Sequence, residues 1–141
     1  MDRWQFRAYR SVAGDVVRDW YDLQIMEVRA EFLTITRYLR DLHADHWEGP
    51  DYKTLKGKLG ELGEIRVIIV SEHHRILGFR EDGIRSFTML TADKKTKRYN
   101  YKVVGGVALT RKSEVLSNRD KFSQNVDWID NECDEIFGKK V

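Results

Sequence analysis

The sequence predicts an α+β domain, with two amphipathic helices near its start and a run of short strands in its middle. Three observations carry that prediction. Ile25, Val28, Phe32, Ile35, Leu39 and Leu42 recur at alternating steps of three and four, the spacing of one apolar helix stripe. Residues 65–92 hold three short strand-like segments parted by turn signals. The 141 residues, 41% hydrophobic and 11% aromatic, suffice for one domain with a real core and argue against disorder.

Taken in order, Trp4, Phe6 and Ala8 alternate with Gln5 and Arg7, which predicts an opening strand with one buried face. Gly14 breaks that strand, and Asp15 is placed to cap a helix. Val16, Val17, Trp20, Tyr21 and Leu23 then predict a short helix. The Ile25–Leu42 stripe predicts a long one, antiparallel to the first across a turn near Gln24. Gly49 and Pro50, the only proline, end it. Gly57, Gly60 and Gly63 punctuate a loop into a strand over 65–70, apolar on both faces and therefore central. A turn over 71–73, a returning strand over 74–80, a hairpin at Glu81-Asp82-Gly83 and a third strand over 86–92 make a mostly antiparallel meander behind the two helices.

Residues 93–102 read as a polar, basic loop, and Gly105-Gly106 as a bend before a helix over 107–118. Val126, Ile129, Cys133 and Ile136 predict a tail helix within 123–138, capped by Asn125 and stopped by Gly138. No repeat or linker divides the chain, so a single domain over 1–141 is expected.

Composition excludes several classes of function. The single cysteine, Cys133, allows no disulfide framework within the chain and suits a reducing, cytoplasmic setting. No apolar run approaches the roughly 20 residues that span a bilayer, so no membrane partner is expected. The charged start MDRWQFRAYR does not read as a secretion signal. Charge is sorted along the chain. Residues 1–52 hold seven Lys and Arg against ten Asp and Glu, residues 53–111 thirteen against six, and residues 112–141 five against seven. A basic middle between acidic flanks points to a polyanion partner for the middle alone.

Arg66 and Arg75 sit inside apolar strand patterns, where a guanidinium is costly unless it faces an open surface or has a partner. A sheet with cations on one open face would seat a phosphodiester backbone. No metal or cofactor is expected. His43 and His46 read as solvated polar residues at a helix end, the glycine loop lacks the Walker lysine–serine pair, and there is no G-x-S-x-G. Cleavage of nucleic acid without a metal requires RNA, whose 2′-hydroxyl attacks the adjacent phosphate. Such chemistry needs cations against the phosphorane, an acceptor for the hydroxyl proton and a donor to the leaving oxygen. Arg66 and Arg75 supply charge; Lys94, Lys95, Tyr99 and Tyr101 are the candidates for proton transfer and stacking. Lys53, Lys56, Lys58, His74, Lys97 and Arg98 extend the expected RNA-binding surface.

At these residues the chain resembles the RelE superfamily of bacterial toxins, closest to its phage-derived, HigB-like branch. The carrying motifs are WQFRAYRS with Gly14 and Trp20, then LKGKLGELGEIRV, HHRILGF and FTMLTADKKTK, with Ala108, Arg111 and Glu114 in a later helix. The match spans about residues 3–116 and leaves the tail helix outside. The resemblance implies a compact RelE-like α+β domain that cleaves messenger RNA on the ribosome and so inhibits translation. It implies neutralisation by a co-encoded antitoxin, expected to be of helix-turn-helix type. It assigns catalytic roles to Arg66, Arg75, the lysine pair Lys94-Lys95 and, as the nearest tyrosine, Tyr99 with Tyr101 behind it. The branch's proline after the lysine pair is missing, since Lys97-Arg98-Tyr99-Asn100 runs on without one. The same fold also hosts gyrase poisons, so a non-enzymatic toxin, or a phage structural protein, is the alternative reading.

Overall fold

A computed structural model of the chain describes residues 3–138. They form a mixed seven-stranded sheet with helices on both faces, an α+β arrangement. The strands are β1 (Gln5–Ser11), β2 (Gly14–Asp15), β3 (Tyr52–Thr54), β4 (Gly63–Ile68), β5 (His73–Glu81), β6 (Ser86–Lys94) and β7 (Ser123–Asn125). The helices are α1 (Val16–Asp22), α2 (Met26–Arg40), α3 (Tyr101–Ser117), the single turn α4 (Arg119–Phe122) and α5 (Trp128–Phe137). The sheet order is β2-β1-β6-β5-β4-β3, with β7 on β1. Strands β4 to β6 form the expected antiparallel meander and β3 adds an unexpected edge strand to it, but β1 joins β6 in parallel, which makes the sheet mixed.

Local signals account for the first two helices. Asp15 caps α1, its carboxylate accepting from the Val17 and Arg18 amides. Val28, Phe32, Ile35 and Leu39 of the α2 stripe are all buried. They meet Phe6, Ala8, Ile65, Val67, Ile76 and Met89 from one face of the sheet. Helix α5 completes this layer with Ile129 and Cys133, and its Trp128 indole donates to Asp15 Oδ2 at 2.9 Å.

The opposite face departs from expectation. It is not open, because Tyr9, Leu62, Leu77, Phe79 and Leu90 project from it and Ala108 and Val115 of α3 cover them. The glycine pair makes no bend there. Gly105 and Gly106 lie inside α3, which begins at Tyr101, six residues before the expected start. Asn100 sets that start by accepting from the Lys102 and Val103 amides. At Gly105 a Cβ would stand 2.6 Å from Leu59 Cδ2, so the glycine is where the 55–62 loop seats against the helix. The tail helix also starts later than expected. Asn125 belongs to β7 rather than to a cap, and Asp127 precedes α5. Gly138 does end it, with φ of 82°. The expected hairpin at Glu81-Asp82-Gly83 joins β5 to β6 through a 3-10 turn closed by Arg85 in the left-handed region.

Candidate functional site

Strand alternation sends Glu64 and Arg66 to one face of β4. Register sets Arg66 directly opposite Arg75, with Asp93 opposite Arg75 on its other side. This is the face that α3 covers, and the N-terminus of α3 comes down at that point. The cluster closes on a single atom, Glu64 Oε1. It accepts from Arg66 Nε at 2.9 Å and from the Tyr101 hydroxyl at 3.1 Å, and Arg75 Nε stands 3.7 Å away. Arg75 Nη1 donates to the His74 carbonyl at 3.2 Å.

The cluster is layered by depth. Glu64 is 0% exposed and Arg75 5%, while the Arg66 side chain is 26% exposed and Tyr101 half-buried. An accessible rim of Arg66 and Tyr101 therefore lies over a buried ion pair. Lys95 joins the rim, its ammonium 5.6 Å from the centre of the Tyr101 ring. Tyr99 packs edge-on against Tyr101, with ring centroids 4.9 Å apart. Glu64 Oε2, Arg75 Nε and the Tyr99 hydroxyl are all buried without a hydrogen-bond partner among the described residues.

Both tyrosines hold their protons more tightly than usual. For Tyr99 burial is the main cause, helped by the neighbouring Tyr101, Glu64 and Asp93 and opposed by Arg75. For Tyr101 burial again leads, followed by the hydrogen bond to Glu64. Near neutral pH each phenol therefore carries its proton, and can accept another only while passing its own on. Asp93 is also raised, by burial, with Arg111 opposing.

Arg66, Arg75, Lys95, Tyr99 and Tyr101 thus come together, and two expected members do not. His74 is 1% exposed and projects to the opposite face, where it accepts from the Trp20 indole at 3.0 Å and its Nε2 meets Glu72 at 2.8 Å. It is a core residue with no access to RNA. Lys94 lies in register with His74, and its nearest acid is Glu72, at 3.9 Å. The lysine pair divides because adjacent strand residues point to opposite faces. Lys53 is exposed on the edge strand opposite Glu64. Lys56 and Lys58, in the loop against α3, and Lys97 and Arg98, before Tyr99, are exposed too.

Glu64 is the member that sequence reasoning missed. Its signal is local: in Gly-Glu-Ile-Arg-Val it sits two residues before Arg66, hence on the same face, as a carboxylate inside an apolar strand. In comparisons with known proteins, no family model matches this chain and no curated protein matches it.

Proposed function

We propose that the chain is a RelE-like endoribonuclease toxin that cleaves messenger RNA on the ribosome without a metal, with Glu64, Arg66, Arg75 and Tyr101 at the reacting phosphate. The observation that carries this reading is the convergence of both sheet arginines and Tyr101 on one buried carboxylate. That set supplies fixed positive charge and a proton path in a water-poor setting, where electrostatic stabilisation is strongest.

In this reading the scissile phosphate approaches the rim, with its non-bridging oxygens on Arg66 and Lys95 and Arg75 adding charge from below. The 2′-hydroxyl attacks phosphorus. Its proton passes to the Tyr101 hydroxyl as Tyr101 gives its own to Glu64, so no free phenolate forms. The bond to the 5′-oxygen breaks, that oxygen takes a proton from the Lys95 ammonium, and Lys95 regains one from water as Glu64 gives the proton it received back to water. A 2′,3′-cyclic phosphate and a 5′-hydroxyl result. Lys53, Lys97 and Arg98 hold the flanking backbone, and the tyrosines offer faces for base stacking.

The test is incubation of the purified protein with messenger RNA bound to ribosomes, followed by end analysis of the fragments. Cyclic phosphate ends with wild type, and their loss in Glu64→Gln and Arg66→Ala, are expected. A folded wild-type protein that leaves the RNA intact refutes the reading.

A further inference from the structure

On the other side of the molecule, the N-terminal half of α2 and the tip of the β4–β5 hairpin enclose an open groove of about 910 Å³. Its floor is apolar, with Ile25, Ala30, Ile68, Ile69 and Val70, and Ile25, Ile68 and Val70 are exposed. Glu27 and Glu31 stand on its rim, one helical turn apart, and neither has an ion-pair partner among the described residues. The sheet edge here is also open. The Arg66 amide donates to the Asp51 carbonyl, where the β3 segment joins β4, while the Ile69 amide bonds inward to the Glu72 carbonyl. Alternation therefore turns the Ile68 N–H and C=O outward, beyond the start of β3, with no strand beside them.

We propose that this groove binds an extended segment of a partner protein in which every second residue, apolar and lysine or arginine in turn, faces the groove. On that one face the apolar side chains enter the groove and the basic ones reach Glu27 and Glu31, while the main chain pairs with Ile68 as an added strand. Charge selects this occupant over the others. The acidic rim repels RNA, and a second copy paired two-fold would set Glu27 and Glu31 against their own counterparts. The groove shares no residue with the Glu64 cluster, so the inference stands apart from the RNA chemistry.

The probes are a short peptide with isoleucine and lysine in turn at every second position and serine between them, a counterpart with glutamate for lysine, and the lysine peptide N-methylated along one edge. Affinities and amide shifts are measured by nuclear magnetic resonance on the isotope-labelled full chain. The lysine peptide is expected to shift amides within 25–34 and 67–73 and to bind roughly tenfold tighter than the glutamate one. Glu27→Lys/Glu31→Lys should reverse that order at unchanged melting temperature, and N-methylation should abolish binding. Equal affinity for the two charged peptides, shifts that map elsewhere, undiminished binding of the N-methylated peptide, or self-association of the free protein through these residues would each overturn the proposal.

Discussion

Replacing Glu64 by glutamine keeps the shape of the side chain and removes its charge, which isolates the electrostatics of the cluster. Arg66 is a quarter exposed and can turn to water. Arg75, at 5% exposure, cannot. Among the described residues it retains the His74 carbonyl and the Tyr101 hydroxyl, neither of them charged. Removing one partner of a buried ion pair costs about 3–5 kcal/mol. Because Arg75 Nε sits 3.7 Å from the carboxylate, beyond hydrogen-bond reach, the lower end applies, about 3 kcal/mol. In a domain of this size that lowers the melting temperature by roughly 10 °C. The reverse change, Arg75→Met, should be milder. Glu64 then keeps Arg66 at 2.9 Å and Tyr101 at 3.1 Å, and the loss is about 1–2 kcal/mol. In the double variant the costs should not add, with a coupling of about 2 kcal/mol. Urea midpoints at constant m-value give all four stabilities. A Glu64→Gln protein as stable as wild type, or a coupling below about 0.5 kcal/mol, would show that Arg75 and Glu64 are not energetically paired.

Arg66→Ala removes the 2.9 Å partner of the buried Glu64 carboxylate and should cost about 1–3 kcal/mol in urea, yet lower cleavage by the folded fraction about 100–1,000-fold; unchanged cleavage by the folded variant would remove Arg66 from the site. Asp15→Ala strips the α1 cap together with the bonds to Trp128 at 2.9 Å and Gln124 at 3.3 Å, and should cost about 2–3 kcal/mol in urea; a loss under about 0.5 kcal/mol would mean α5 docks without it. Burial pushes the Tyr52 phenol up to about 12 and raises Tyr99 and Tyr101 as well. The folded chain thus keeps phenol protons that the unfolded chain releases near the ordinary value of 10.0, so stability should fall as pH rises above about 10. Phenolate absorbance followed with urea stability over that range tests this, and stability that holds flat while exposed tyrosines ionise would refute it.

Sequence alone determined those elements whose signals are local. The α2 stripe is legible because one face of a helix repeats every 3.6 residues, and Asp15 and Gly138 mark ends that backbone chemistry dictates. The meander was legible from strand alternation and turn residues, and Arg66 and Arg75 stand out because a guanidinium in an apolar strand breaks the pattern around it. The layer across the sheet was not. Residues 101–106 look like a loop and a bend because glycine weakens a helix; Asn100 caps a helix there, and the close seating of Leu59 explains why position 105 is glycine. That placement covers the face expected to be open, buries Arg75 and delivers Tyr101 to Glu64. Cross-strand register then decides which residues share the site: it pairs Arg75 with Arg66, turns His74 into the core and splits Lys94 from Lys95. Register and helix docking are set by packing between residues far apart in the chain, and no window of sequence contains both partners.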